Sequence, residues 1–265
     1  MKAVIDHGDE QLFDGISAYV ATTVLTAGRN ESIEYSSPSP GKLTVPQDEA
    51  WIGGKLMPIA DRETREAFRE IADGNICDKS VSVRTGFQTG NDVLFLDEAG
   101  RFPDALKIDV VKSATCAMGR MFFPYDTDMK LLPLEAVNRA CLDEGKPQID
   151  AMKPQMLGRS GITDGNWWGF ARTQAISSVP LDKVALPSLF KPGTIKAVEA
   201  SAGTGVYGRG YYVTGMDIDE IRSALSSRLF TEYAASVGRP KRGGYLAVRG
   251  KDMERYLRWY MARNR

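Results

Sequence analysis

Apolar positions change their period several times along this chain, and each change predicts an element. Residues 16–28, ISAYVATTVLTAG, are dense in β-branched and aromatic side chains and end at Gly28. That pattern predicts a buried strand, entered through a turn at Asp14-Gly15. The following stretch, 36–50 (SSPSPGKLTVPQDEA), is interrupted by three prolines and predicts a linker or long loop. Asp61 then stands before a helical stripe of Ala67, Phe68, Ile71 and Ala72, with Gly74 as the stop, which predicts a surface helix leading into a second domain.

From Ser80 the texture becomes strand and turn. SVSVRTGFQTGNDVLFLDEAG (80–100) has two alternating runs around a Gly- and Asn-rich loop and predicts a hairpin. GVYGRGYYVTG (205–215) predicts a twisted strand where backbone approaches closely, or a hairpin built on its glycines. The longest helical pattern runs over 217–237: Asp217 and Glu220 form a capping-box-like start, Ile218, Ile221, Leu225, Leu229, Tyr233 and Val237 share a face, and Gly238 with Pro240 ends it. No internal repeat or low-complexity tract is visible.

Composition narrows the function classes. With 265 residues, 43% of them hydrophobic, the chain can bury a real core as one large or two small domains. Its 34 basic and 34 acidic side chains cancel, but unevenly: residues 1–50 carry 3 basic and 8 acidic, whereas residues 239–265 carry 9 basic and 2 acidic. A neutral chain with a basic, aromatic-interleaved end is suited to a polyanion contact rather than to coating nucleic acid uniformly. Three cysteines without C-x-x-C spacing, and no secretion-type start, point to reduced thiols in a cytoplasm. No apolar run approaches the roughly 20 residues that span a bilayer, so no membrane partner is expected. The single histidine, His7, cannot build a multi-histidine metal site, and no metal site is expected.

The order of several segments carries a resemblance. LFDGISAYVATTVLTAG, a charged helix, VRTGFQTGNDVLFL, MGRMFFPYD, WWGFARTQ with DKVALP after it, and ALSSRLFTEYAASVGRPKRGGY follow one another. Within them, G-x-x-T-G-N, F-P-Y-D, W-x-x-x-R-x-Q and the L-S-S helix occur in series. This series resembles the C-terminal part of bacterial restriction-modification adenine-N6 DNA methyltransferases, and residues 76 to about 250 look like the TaqI-like C-terminal specificity domain.

The resemblance implies an α/β fold: a mixed, β-rich target-recognition domain with helices over 76–265, a linker and helix over 36–75, and over 1–35 an end piece similar to the last strands of a methyltransferase sheet. It implies double-stranded DNA as partner, together with a methyltransferase catalytic domain or subunit. Such methylases use an Asn-Pro-Pro-Tyr-type motif to hold the flipped adenine. This chain has no Pro-Pro dipeptide, and Phe123-Pro124-Tyr125-Asp126 fits the specificity-domain pattern instead. The only Gly-rich candidate for a cofactor turn, Gly203 to Gly210, precedes a Tyr-rich strand rather than a helix. The chain alone is therefore expected to be non-catalytic, with S-adenosylmethionine bound by the catalytic domain or partner.

Candidate DNA contacts follow. Gly238-Arg239-Pro240-Lys241-Arg242-Gly243-Gly244 presents three cations; the competing reading is a solvated loop that complements a helix C-terminus, worth a few tenths to about 1 kcal/mol. Gln88, Thr89 and Asn91 either bond their own turn or reach a base edge, since Gln and Asn match adenine's donor-acceptor pair. Arg172 and Gln174 follow an aromatic strand over 167–170 and are either DNA contacts or structural, Arg172 being a candidate for burial. Arg209 completes the set. Tyr256, Trp259 and Tyr260 have helical spacing suited to packing. The rival functions are a standalone enzyme, either a divergent methyltransferase or a nuclease using Asp104 with Glu144-Gly145-Lys146, and a DNA-independent interaction subunit.

Overall fold

A computed structural model of the chain describes all residues except 9, 11, 14–19, 39, 40, 58 and 60. The fold is mixed α/β and rich in strands. The chain packs as two compact units, Met1–Val81 with Leu189–Ile195 and Ser223–Arg265, and Ser82–Ser188 with Lys196–Arg222.

In the first unit, four strands form a sheet in the order Ala21–Val24, Ala3–Asp6, Ser32–Ser36, Lys42–Pro46; the central pair is parallel and the outer pairs are antiparallel. Val4, Ile33, Val45 and Ala50 form its core. Two sequence expectations change here. The strand predicted over 16–28 is not buried in its described part: Ala21–Val24 is an edge strand exposed throughout. β-Branched residues fit any pleated surface, so their enrichment marks a strand without marking burial. The Asp14-Gly15 turn and residues 16–19 lie outside the described residues. The linker predicted over 36–50 contains a strand, Lys42–Pro46, paired with Ser32–Ser36 at five positions. Pro46 is tolerated because it ends an edge strand.

The helix Arg62–Asp73 forms as its pattern predicts. Asp61 accepts from Thr64 N at 2.7 Å, Gly74 closes the helix at φ +69°, and Phe68 and Ile71 are buried. Phe68 meets Tyr233 edge-to-face at 5.3 Å. The helix predicted over 217–237 starts at the expected capping box, where Glu220 N donates to Asp217 Oδ1 and Asp217 N to Glu220 Oε2. It then breaks into Ile218–Ser226 and Arg228–Val237. Ser227 leaves helical geometry (ψ 148°) and accepts from Phe230 N, capping the second helix. Serine competes for backbone partners in this way, and hydrophobic spacing does not register it.

In the second unit, one sheet has the order Val198–Ala200, Lys183–Leu186, Tyr211–Thr214, Ser82–Thr85, and another has Gly205–Tyr207, Lys107–Lys112, Ala117–Phe122. The predicted hairpin over 80–100 does not form. Ser82–Thr85 pairs with Tyr211–Thr214 instead, and Asp92–Phe95 is a helical turn. The 205–215 segment supplies two strands to two different sheets, so it is neither one strand nor a hairpin. The close approach expected of its glycines is present: a Cβ on Gly210 would lie 2.4 Å from Leu186 O and 2.6 Å from Ser113 Cβ.

Candidate nucleic-acid interface

Three backbone runs of the second unit come together around Phe87. Phe87 N donates to Val206 O at 3.0 Å and Gly208 N to Phe87 O at 3.3 Å, while Gln88 and Arg172 exchange both backbone bonds, at 3.0 and 3.3 Å. Phe87 is buried and stacks on Phe170 at 4.7 Å. Residues that exchange both bonds across an antiparallel bridge present their side chains on the same side. Gln88 and Arg172, picked from separate motifs, are therefore direct neighbours. Arg172 and Gln174 are exposed and Gln88 is half-buried. The buried reading of Arg172 does not hold.

Each run is pinned from below. Thr89, fully buried, donates from Oγ1 to Asp92 Oδ1 at 2.7 Å and accepts from Asn91 N, which leaves the Asn91 side chain exposed at the start of the Asp92–Phe95 turn. Gly86 has no room for a side chain, since a Cβ would lie 2.4 Å from Val206 O. Arg209 is exposed between Gly208, at φ +93°, and Gly210. Below it, the buried Ser113 hydroxyl donates to Tyr207 O and accepts from Gly210 N, both at 2.8 Å.

The aromatic strand expected at 167–170 is a tight turn. Trp167, Trp168 and Phe170 are all buried, so no two-residue alternation exists. The turn is held by Trp168 Nε1 donating to Leu132 O at 2.9 Å and by Phe170 N donating to the Tyr125 hydroxyl at 2.7 Å. Burial pushes the Tyr125 phenol up to about 12. Beneath both turns lies Arg159, 6% exposed, which sequence patterning does not single out. Its partners are main-chain carbonyls, which leave no trace in side-chain identity.

The other candidates lie in the first unit. Arg239–Lys241 and Tyr245–Ala247 form a hairpin whose turn uses Gly243 and Gly244 at positive φ. Arg239, Lys241 and Arg242 are exposed and none pairs with a described carboxylate. The rest of the basic end is largely neutralised: Arg249 pairs with Asp252, Arg258 with Glu254, Arg263 with Glu70 and Arg265 with Asp78. Tyr256 and Trp259 are buried, and Trp259 Nε1 donates to Glu70 Oε2. Of the cations of this segment without an ion pair to a described carboxylate, Arg239, Lys241 and Arg242 stand on the hairpin and Lys251 and Arg255 on the terminal helix Gly250–Asn264.

The nuclease reading loses its residues to structural work. Glu144 accepts from Asp104 N and Ala105 N, Lys146 Nζ donates to Gly100 O, and the Asp104 carboxylate pairs with Lys107 and Arg120. Among the described residues, no three His, Cys, Asp or Glu side chains group as metal ligands. His7 Nε2 meets Thr22 Oγ1 at 3.0 Å. Two of the 203–210 glycines are filled by neighbouring core: a Cβ on Gly205 would lie 2.7 Å from the Phe87 ring, and one on Gly210 would lie 2.4 Å from Leu186 O.

No protein-family model and no curated protein matches the chain. Among solved structures it is similar to the type IIL restriction-modification enzyme MmeI, determined in complex with DNA, with a TM-score of 0.56 over 94% of this chain at 13% identity. The likeness is one of fold. This chain spans about a third of that enzyme's length, the match covering 33% of it.

Proposed function

We propose that this chain recognises a specific double-stranded DNA sequence for a restriction-modification system, as the target-recognition part of an adenine-N6 DNA methyltransferase. The observation that carries the reading is the Gln88–Arg172 bridge. It sets two base-competent side chains from separate motifs side by side, Arg172 exposed and Gln88 half-buried, with Arg209 on the adjoining run. The fold shared with part of a restriction-modification enzyme solved with DNA supports the same reading. Arg suits the O6/N7 edge of guanine, and Gln or Asn suits the N6/N7 edge of adenine. Arg239, Lys241 and Arg242 take phosphates, which fix register without reading sequence.

Methyl transfer belongs to a catalytic domain or partner subunit that binds S-adenosylmethionine, and the system works in the cytoplasm. No described helix is long and apolar enough to cross a membrane. Selection of the full chain on a randomised duplex library tests the reading. Enrichment of one short motif is the expected result; recovery of the input distribution, with binding governed by salt alone, contradicts it. Binding of S-adenosylmethionine by the chain alone, measured calorimetrically, would contradict the division of labour.

A further inference from the structure

Arg159 is buried without a carboxylate partner among the described residues. Its Nε donates to Met156 O at 2.8 Å, Nη1 to Thr89 O and Nη2 to Trp167 O. The guanidinium carbon stands 4.7 Å from the centre of the Phe95 ring. One side chain thus ties three segments: the end of the short helix Lys153–Leu157, the 86–91 turn and the 167–170 turn. Gly90, at φ +86°, rests directly on it, since a Cβ there would lie 3.0 Å from Ala171 Cβ and 3.4 Å from Arg159 Cβ.

Burial without a counterion is costly, and an apolar side chain of similar volume fills a core more cheaply. Desolvation pulls the guanidinium down to about 10, still charged at neutral pH. What the guanidinium supplies and a hydrocarbon cannot is a planar set of donors spanning fixed carbonyls. Thr89 adjoins Gln88, and Trp167 opens the turn that leads to Arg172 and Gln174.

We infer that Arg159 is a positioning residue for base reading, holding the 86–91 turn against the 167–174 segment so that Gln88, Asn91, Arg172 and Gln174 meet DNA in one geometry. This rests on the DNA-recognition reading above. The experiment compares full-length wild type with Arg159→Lys, Arg159→Met and Gly90→Ala. For each it measures affinity for the selected duplex and for a scrambled one across a salt series, together with thermal unfolding.

Arg159→Lys and Arg159→Met are expected to cut the selected-to-scrambled ratio by about tenfold or more, comparable to removing one bidentate base pairing. The salt slope should stay unchanged, because every phosphate-binding cation is still in place. Lysine, with the charge but not the fork, should not rescue. Gly90→Ala displaces the same turn without removing the guanidinium and should produce the same selective loss. If Arg159→Met does not fold, the other two variants decide the question. A wild-type ratio in folded Arg159→Lys and Gly90→Ala overturns the inference, as does an equal loss of affinity for both duplexes, which is what a merely structural role gives. If the wild type selects no motif, the DNA-recognition reading fails and takes this inference with it; selectivity retained in every variant removes the inference alone.

Discussion

The face around Gln88 and the hairpin at Arg239 both offer polar or cationic groups to solvent, yet they are built in opposite ways. Beneath Gln88, Arg172 and Arg209 the backbone is bonded run to run, glycines are packed without space for a Cβ, and buried Thr89, Ser113 and Arg159 hold the turns. Arg239, Lys241 and Arg242 sit on a short hairpin with an exposed Gly-Gly turn. Reading a base edge demands fixed donors, since a bidentate pair tolerates little displacement, whereas neutralising phosphate demands only nearby charge. In the proposed DNA-binding role, the first region would carry sequence discrimination and the second electrostatic affinity.

The largest effect is expected where the pinned face is forced apart. Gly210→Ala sets a Cβ against Leu186 O and Ser113, and should destabilise by about 1–3 kcal/mol or more, read as a lowered denaturant midpoint. The counterpart Gly244→Ala meets no atom within 4 Å. It carries only the strain of its positive φ, so its midpoint should fall less. Arg172→Ala should reduce discrimination between selected and scrambled duplexes by about 1–3 kcal/mol while leaving stability near wild type. Ser227→Ala, outside both regions, removes a helix cap and should cost about 1 kcal/mol of stability with DNA selectivity unchanged.

The smallest effect is a pH dependence. Burial pushes the Lys183 ammonium down to about 8 from 10.5, its Nζ donating to Leu181 O at 2.8 Å. Between those values the unfolded chain binds the proton that the native chain has released. Stability from this group therefore rises with pH through that window and is lost as pH falls through about 8. Lys183→Met should flatten the pH 8–10 part of the stability profile, below the range where buried tyrosines begin to act in the opposite direction.

What sequence made legible was local chemistry. Asp61 and Gly74 bracket a helix and Asp217 and Glu220 start one, because each acts on neighbours a few residues away. Long-range pairing was hidden. Ser82–Thr85 looked like half of a hairpin because its partner, Tyr211–Thr214, lies far along the chain. Prolines masked the Lys42–Pro46 strand, and a buried turn of three aromatics imitated strand alternation at 167–170. Within the candidate site, half-buried Gln88 and exposed Asn91, Arg172, Gln174 and Arg209 were all visible as residue types. That Gln88 and Arg172 pair was not, and Arg159 was missed because it works through carbonyls.

The division of labour is tested most directly by one salt series on the selected and scrambled duplexes, run with wild type, the Gln88→Ala/Arg172→Ala variant and the Arg239→Gln/Lys241→Gln/Arg242→Gln variant. The hairpin variant should bind both duplexes more weakly, with the log-affinity against log-salt slope flattened by about 0.9 for each phosphate left unneutralised and the ratio between duplexes preserved. The Gln88/Arg172 variant should show the reverse, a reduced ratio at a slope close to wild type. If the hairpin variant loses the ratio, or the Gln88/Arg172 variant lowers both affinities equally, the two regions do not divide the work in this way.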